Sequence, residues 1–166
     1  VIVSIFVNPK QFQNNKDYKS YPRSLNKDLN ILKRQKVDFV FLPSVKDIYS
    51  YKTKNKIYLD KFSKNLCGKH RPGHFKGVID VVNRLVEIIE PKKIYLGKKD
   101  YQQLILIKKH FVKNNIKIKI IECNTQRDSF GLAESSRNKS LNDNQLSIAR
   151  QVSKILKKNK MIIKHN

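Results

Sequence analysis

Polar residues crowd a point where a short apolar run gives way to a helical pattern. Residues 94–96 are apolar, and Gly97, Lys98, Lys99 and Asp100 follow directly. In an open α/β sheet, ligands bind at the carboxyl ends of the strands, against the free N–H groups of the next helix. A lysine in that place adds a mobile positive charge for a phosphate group. The turn therefore predicts phosphate binding, and the alternative is an ordinary solvated strand–helix turn.

Hydroxyl and guanidinium groups cluster again later in the chain. Ser135, Ser136 and Arg137 follow a glycine-containing loop. Two hydroxyls next to an arginine can clamp a phosphate, and such a loop can close over a triphosphate during a reaction cycle. The alternative is a capping and turn segment, because serine and asparagine are common in loops.

Two further groups of polar residues come earlier in the chain. Asn8 and Gln11 follow the apolar residues 1–7, where two amides can recognise a small polar ligand, although Asn-Pro is also an ordinary turn. Arg71 and His74 flank a Pro-Gly turn before a strongly amphipathic segment, and the N-terminus of a helix favours an anion. The alternative for His74 is a capping or surface histidine.

The segments that must position these residues alternate between strand and helix patterns. Apolar, β-branched runs predict strands, and they cover residues 1–7, 37–42, 94–96 and 116–121. Apolar residues at helical spacing predict helices, and they cover residues 25–32, 75–89, 100–112 and 142–158. The first run is almost entirely apolar, which is typical of a strand covered on both faces of a parallel sheet. The alternation predicts an α/β fold, with a Rossmann-like parallel sheet and helices on both faces.

Two helix starts and one irregular region allow finer predictions. Ser24 is the predicted N-cap of the first helix, and Asn142 with Gln145 predicts a capping-box start for the last one. Residues 44–70 resemble an insertion over the edge of the sheet. Within that insertion, the pattern favours a helical turn at residues 47–49 and a short strand at residues 56–59.

The length and composition of the chain limit the class of protein. The chain has 166 residues, of which 39% are apolar, so it is long enough for one domain with a real core. No segment approaches the roughly 18 uninterrupted apolar residues of a membrane helix. Cys67 and Cys123 lie far apart and lack the spacing of a zinc site or a disulfide framework. We therefore expect a reduced, cytoplasmic protein without a membrane partner.

The net charge of +23 is the most unusual feature of the composition. Such a balance normally points to nucleic acid or to an anionic surface. The lysines are, however, spread over nearly every segment, and lysine, asparagine and isoleucine share A/T-rich codons. We therefore favour a base-composition effect on a solvated surface and expect no nucleic-acid partner.

Both ends of the chain lie inside apolar runs. The sequence opens at Val1 without an initiator methionine, and residues 161–163 are apolar close to its end. We expect the chain to be a fragment of a longer protein, cut at both ends.

Five sequence blocks occur in one order. They are Val-Ser-Ile-Phe-Val-Asn-Pro-Lys-Gln-Phe, Tyr-Pro-Arg-Ser, Arg-Pro-Gly-His-Phe-Lys-Gly-Val, Gly-Lys-Lys-Asp-Tyr-Gln-Gln-Leu and Ser-Ser-Arg-Asn. Together they closely resemble the pantothenate synthetase (pantoate–β-alanine ligase) family of the nucleotidylyltransferase superfamily. Most blocks are loose by themselves, but five in register form a specific signal that covers nearly the whole chain.

The resemblance implies a reaction in two steps. ATP and pantoate give an enzyme-bound pantoyl adenylate and pyrophosphate, and the amine of β-alanine then releases AMP and pantothenate. Such an enzyme must bring two anions together and neutralise charge at the α-phosphate during in-line attack. Mg²⁺ is expected to arrive with the triphosphate of ATP.

The resemblance also implies a role for each candidate residue. Gln11 and Gln103 would hold pantoate, and Asn8 with Gln11 would support β-alanine. Lys99 and Gln103 are four residues apart, so both can face the same site. The implied ATP-binding residues are Gly97, Lys98, Lys99, Asp100, Gln126, Glu134, Ser135, Ser136 and Arg137. The implied catalytic residues are Lys99, Ser135, Ser136 and Arg137, and the implied pocket residues are Tyr21, Arg71 and His74.

The chain departs from the family pattern at several positions. Lys98 stands where the family usually has glutamate, and Glu134 stands where it usually has an apolar residue. Gln126 lies in the adenine-side segment, where a contact with adenine would use its backbone. The family's first strand and its His-x-Gly-His motif, which stabilises the triphosphate, do not occur in the sequence. We therefore expect the isolated chain to be inactive.

The resemblance predicts two domains. Residues 1–125 would form the nucleotide- and pantoate-binding domain, and residues 126–166 would hold the phosphate clamp and the start of a C-terminal lid domain. The full-length protein would be a homodimer. The alternatives are another nucleotidylyltransferase, which would lack the pair Gln11 and Gln103, and a basic nucleic-acid-binding protein.

Overall fold

A computed structural model describes the backbone of residues 1–164 and the side chains of residues 1–159. Its strands are β1 (Ile2–Ser4), β2 (Phe39–Phe41), β3 (Lys93–Gly97) and β4 (Lys119–Cys123). Its α-helices are α1 (Asn15–Ser20), α2 (Leu25–Arg34), α3 (Val45–Tyr49), α4 (Cys67–His70), α5 (His74–Ile89), α6 (Tyr101–Lys113) and α7 (Asp143–Lys164). Short 3₁₀ turns cover Pro9–Gln11, Lys61–Lys64, Lys98–Asp100 and Ser136–Ser140.

The chain divides into two compact units. Unit 1 contains Val1–Leu96 and Asp100–Glu122, and unit 2 contains Gly97–Lys99 and the chain from Cys123 onward. The strands and the helices α1 to α6 therefore lie almost entirely in unit 1, whereas α7 lies in unit 2.

The strands confirm the predicted α/β class but pair differently from a single sheet. β1 and β2 are parallel, with Val3 opposite Val40, while β3 pairs with β4. Within the described residues these are two separate two-stranded sheets. The expectation that residues 1–7 are covered on both faces is wrong. The strand ends at Ser4, because the chain turns toward Pro9, and Ile2 remains 47% exposed.

The core of unit 1 lies between α5 and α6. Phe75, Ile79 and Val86 on α5 pack with Leu106, Ile107 and Phe111 on α6, and isoleucines of β3 and β4 cover them. The predicted apolar faces of both helices are therefore confirmed. Burying one such side chain contributes about 1.5–3 kcal/mol. This packing fixes the N-termini of the two helices, which carry several candidate site residues.

The irregular region between β2 and α5 contains α3, as predicted, but not the strand predicted at residues 56–59. There the backbone N–H of Tyr58 donates to Nδ1 of His110 at 3.3 Å, instead of to a neighbouring strand. Ile57 and Leu59 pack against the core, so the alternating pattern reflects side-chain burial alone. The sequence pattern cannot distinguish these two causes.

Two other boundaries differ from the prediction. Ser24 stands at the N-cap of α2 but makes no capping hydrogen bond, because its hydroxyl turns toward Asp28 at 3.4 Å. β4 begins at Lys119 instead of Ile116, because the N–H of Ile116 still bonds to the carbonyl of Phe111 at the end of α6.

Unit 2 combines a tight hairpin with the long helix α7. Arg127 and Ala133 form an antiparallel bridge, and Asp128 accepts the N–H of Leu132 at 2.8 Å. Arg150 on α7 pairs with Asp128 at 3.0 Å. The predicted capping box of α7 is confirmed, since Asn142 and Gln145 each accept the other's backbone N–H, at 2.9 and 3.0 Å.

Candidate functional site

The residues that follow β1 form a clamped turn, which we call the strand-end loop (residues 8–12). Asn8 is 2% exposed, and its side chain uses both ends of its amide. Oδ1 accepts the N–H of Lys10 at 3.1 Å and the hydroxyl of Tyr49 at 2.7 Å. Nδ2 donates to the carbonyl of Gly77 at 3.0 Å and, at 3.5 Å, to Oε1 of Gln11. Asn8 is therefore a buried bracket that joins the loop to α3 and α5.

The start of α5 holds the same loop from a second side. Nδ1 of His74 donates to the carbonyl of Gln11 at 2.8 Å, and Nη1 of Arg71 donates to Nε2 of His74 at 3.2 Å. Burial of the ring lowers the pKa of His74 below its ordinary 6.5; the nearby Arg71 lowers it further, while the Gln11 bond and Asp100 oppose this. The ring is therefore neutral at pH 7, with its proton on Nδ1.

Two glycines make this arrangement possible. Gly73 precedes α5 with a φ of +79°, a left-handed conformation that favours glycine. Gly77 lies directly against the strand-end loop, where an added Cβ would clash with the carbonyl of Lys10 and lie 2.9 Å from the nitrogen of Gln11. The loop can approach α5 this closely only because Gly77 has no side chain.

A charged network supports Tyr49, a residue that the sequence patterns did not single out. Asp80 accepts from Arg84 at 2.7 Å and from Lys10 at 3.3 Å. The ammonium of Lys10 lies 3.7 Å from the centre of the Tyr49 ring, and the guanidinium of Arg84 lies 4.9 Å from it. Burial, helped by Asp80, raises the pKa of Tyr49 to about 12, so its hydroxyl stays protonated as a donor.

The start of α6 places two neighbouring glutamines in opposite environments. Gln102 is buried, accepts the N–H of Cys67 at 3.1 Å and donates to the carbonyls of Phe62 and Asn65 at 2.9 and 2.8 Å. It therefore fixes the chain before α4, a role that the sequence did not reveal. Gln103 is partly exposed, and its amide has no hydrogen-bond partner among the side chains and backbone that the structure describes.

The 3₁₀ turn Lys98–Asp100 separates β3 from α6. Lys99 lies in this turn and not in α6, so the helical spacing invoked to align it with Gln103 does not apply. Asp100 stands at the N-cap of α6 without a capping hydrogen bond from its side chain, and its charge acts on His74. Asp100 and His74 therefore belong to one neighbourhood at the starts of α5 and α6.

Tyr21 lies beside the strand-end loop. Its ring packs edge-on against Phe12, with 5.6 Å between the ring centres. Phe12 closes the strand-end loop, so Tyr21 is placed beside the loop by an aromatic contact.

Unit 2 contains the second polar cluster, which we call the serine loop (residues 134–138). The hydroxyl of Ser135 accepts the N–H of Arg137 at 3.2 Å and caps the 3₁₀ turn. Ser136 and Arg137 are exposed. The N–H of Glu134 bonds to the carbonyl of Gln126 at 3.0 Å, so these two residues belong to the hairpin itself.

Two further basic residues of unit 2 precede the hairpin. Lys98 and Lys99 are exposed, and Nζ of Lys98 donates to Oδ1 of Asn124 at 3.2 Å. Together, exposed ammonium, hydroxyl and guanidinium groups give unit 2 the chemistry of an anion-binding surface.

Among the side chains of residues 1–159, no three or more histidine, cysteine or acidic groups are arranged to hold a metal ion. None of the helices described is both long and apolar enough to cross a membrane.

Comparison with known proteins identifies the family. The sequence model described as Pantoate-beta-alanine ligase matches residues 1–165. A pantothenate synthetase from Francisella philomiragia is 46% identical over 162 residues, which cover 97% of this chain and 62% of the relative. One from Pseudothermotoga lettingae is 46% identical over 137 residues, which cover 82% of this chain and 49% of the relative.

A solved structure agrees with the sequence relatives. The crystal structure of pantoate-beta-alanine ligase from Francisella tularensis, complexed with beta-gamma ATP and beta-alanine, matches with a TM-score of 0.86 at 47% identity. It covers 94% of this chain and 60% of the other. The chain therefore belongs to the pantoate–β-alanine ligase family. It spans 49% to 62% of the length of these relatives.

Proposed function

We propose that the protein takes part in the ATP-dependent condensation of pantoate with β-alanine. In this proposal a pantoyl adenylate forms with loss of pyrophosphate, and β-alanine then gives pantothenate and AMP. The observation that carries the proposal is the strand-end loop. A buried asparagine, a neutral histidine and a glycine hold Gln11 in place, inside a family match that covers residues 1–165.

Unit 1 supplies groups suited to the two organic substrates. We assign pantoate to Gln11 and Gln103, because both amides are partly exposed and can bond to hydroxyl and carboxylate oxygens. We assign β-alanine to Gln11, with Asn8 acting through it, since the amide of Asn8 is already bonded within the protein. Arg71 and His74 then act by holding the backbone of Gln11, and Tyr21 packs beside the loop.

Unit 2 supplies groups suited to ATP. We assign the phosphates to Lys99, Ser135, Ser136 and Arg137, whose cationic and hydroxyl groups can stabilise the charge that develops at the α-phosphate. Gly97, Lys98, Gln126 and Glu134 are assigned to the surroundings of the nucleotide. Lys98 adds positive charge, and its bond to Asn124 restrains it.

Mg²⁺ fits this proposal as a companion of the triphosphate. The ion is usually held by one or two carboxylates together with substrate phosphates and water, without a dedicated protein cage. Asp100 is exposed and offers the carboxylate for that purpose. The ion would neutralise phosphate charge when bound, and the residues of the chain would orient the substrates.

The proposal is tested by pantoate binding to the 166-residue chain, measured by isothermal titration calorimetry. Gln103→Ala should weaken binding at least about tenfold, the loss expected for a hydrogen bond to a charged group. The free energy of unfolding should stay within about 0.5 kcal/mol of wild type, because Gln103 has no described hydrogen-bond partner. Gln13→Ala is the matched control, since within the described residues the side chain of Gln13 bonds only to the carbonyl of His70, at 3.1 Å.

Two results would contradict this assignment, and a third would contradict the expectation that the isolated chain is inactive. Nucleotide binding without pantoate binding would favour another nucleotidylyltransferase. Duplex DNA binding that falls steeply with salt would favour a nucleic-acid function for the charge of +23. Robust pantoate-dependent ATP–pyrophosphate exchange by this chain would show that the His-x-Gly-His motif, which its sequence lacks, is dispensable.

We also propose that the protein acts as a homodimer in the cytoplasm and that its domains divide near residues 125 and 126. Size-exclusion chromatography with light scattering tests the dimer, and limited proteolysis tests the division. A monomer would contradict the first proposal. A resistant product that continues unbroken across residues 123–127 would contradict the second.

A further inference from the structure

Three side chains of unit 1 form a line of hydrogen bonds that ends at Gln11. The hydroxyl of Tyr49 donates to Oδ1 of Asn8 at 2.7 Å, and Nδ2 of Asn8 donates to Oε1 of Gln11 at a longer 3.5 Å. We call this line the amide relay. It joins α3 to the strand-end loop across 41 residues of sequence.

Two backbone groups determine the direction of the relay. The N–H of Lys10, 3.1 Å from the Asn8 amide, can only donate, so the atom facing it is an oxygen. The carbonyl of Gly77, 3.0 Å away on the other side, can only accept, so the atom facing it is an NH₂ group. The orientation of the Asn8 amide is therefore fixed, and Tyr49 must donate to it.

The same direction continues into Gln11. Because Asn8 presents N–H to it, the nearer end of the Gln11 amide is the oxygen, and its NH₂ group points away from Asn8. Among the described residues no acceptor bonds to that NH₂ group. Gln11 thus offers donors outward, which suits a ligand that presents carboxylate or hydroxyl oxygens.

The ring of Tyr49 is held in place by charge. Lys10 and Arg84 lie over the ring, and Asp80 binds both cations, so the two are locked together. Nη1 of Arg84 also donates to the carbonyls of Ile48 and Tyr51, at 3.0 and 2.7 Å. The start of the relay is therefore anchored to α5 through Arg84 and Asp80.

We propose that Tyr49 is a positioning residue that holds the Asn8 amide in the place where the two backbone groups orient it, so that Gln11 presents its N–H donors to an oxygen-bearing anionic ligand. The identity of that ligand as pantoate rests on the proposed function. The relay itself follows from the hydrogen-bond directions alone.

The relay is tested in the wild-type chain and in two matched variants by NMR of side-chain NH₂ groups. In wild type, the NH₂ protons of Asn8 should exchange slowly with solvent and those of Gln11 rapidly. Tyr49→Phe keeps the ring but removes the donor, so the NH₂ signals of both residues should shift or broaden. Tyr51→Phe is the control, since its hydroxyl donates to the carbonyl of Arg84 at 3.2 Å and its ring also lies beside Arg84.

Pantoate affinity separates the relay from the proposed function. Tyr49→Phe should raise the Kd for pantoate about fivefold, the effect of losing one neutral hydrogen bond, and Tyr51→Phe should leave it unchanged. Three outcomes would overturn the inference. The NH₂ signals could stay unchanged in Tyr49→Phe, they could change equally in Tyr51→Phe, or the NH₂ protons of Gln11 could exchange slowly with solvent. Altered signals with an unaltered Kd would overturn the positioning role. Altered signals in a chain that binds no pantoate at all would keep the relay and reject the proposed function.

Discussion

The strand-end loop and the serine loop are both short, polar and built around a 3₁₀ turn, yet they are held in different ways. Asn8 is buried and bonds to groups from α3 and α5. Ser135 accepts an N–H only two residues away, and Ser136 and Arg137 are exposed. Bonds to α3 and α5 therefore fix the first loop, while the cap of the second is a bond between residues two positions apart. In the proposed function, the first loop would select its ligand by fixed geometry.

The largest effect on this contrast is expected from a substitution that separates the strand-end loop from α5. Gly77→Ala places a Cβ against the carbonyl of Lys10, so the loop must move. Overpacking of this kind costs about 1–3 kcal/mol. Urea denaturation should show that loss in the free energy of unfolding. Gly97→Ala is the matched control, because an added Cβ there meets nothing within 4 Å, and a loss as large as that of Gly77→Ala would contradict the close contact.

Acid offers a graded way to loosen the strand-end loop relative to the serine loop. Burial lowers the pKa of His74 and of His110 below the ordinary 6.5. The unfolded chain therefore binds protons first as the pH falls, so stability is lost below about pH 6.5, by at most about 1.4 kcal/mol per pH unit for each ring. Protonated His74 would keep its bond to Gln11 but lose the one from Arg71.

Hydrogen exchange measured from pH 7 to pH 5, corrected for intrinsic rates, separates the loops. Protection of the amides around Gln11 should fall with pH, while the protection of the Arg137 amide in the serine loop should stay constant. A parallel fall at both places would show global unfolding and would remove the distinction.

The smallest expected effect lies in the serine loop. Ser135→Ala removes the acceptor for the N–H of Arg137 and should cost about 0.5–1 kcal/mol of local stability. Faster hydrogen exchange at Arg137 is the measurement. Ser136→Ala removes an exposed hydroxyl that does not serve as the cap, so it should leave that exchange rate unchanged. Equal effects of the two changes would indicate that the cap does not hold the loop.

The sequence predicted the parts of the fold that repeat at a fixed period. These parts are the apolar faces of α5 and α6 and the capping box formed by Asn142 and Gln145. Each could be predicted because it depends on residues three or four positions apart. The strand predicted at residues 56–59 was wrong, since a side chain, His110, takes the hydrogen bond of Tyr58 that a ladder would use. Alternation of apolar and polar residues indicates which side chains are buried. It does not indicate which groups the backbone N–H and C=O bond to.

Only some residues of the candidate site could be predicted from the sequence, for a similar reason. Family blocks pointed to Gln11 and Gln103, but no local signal distinguished Gln102 from Gln103 or linked Tyr49 to Asn8. Gln102 reaches groups 35 to 40 residues away, and Tyr49 is 41 residues from Asn8. Partners so distant are brought together only by packing, which a short sequence window does not contain.

The bond from Asn8 to Gly77 joins residues 69 positions apart, and this separation bears on the order of folding. Bringing the ends of so long a segment together costs conformational entropy before any contact between them can stabilise the chain. The bracket around Gln11 is therefore expected to form late in folding, after α5 and α6 have packed. Stabilising a contact that is absent from the transition state slows unfolding without hastening folding. A ligand held by Gln11 would then act mainly by lengthening the lifetime of the native chain.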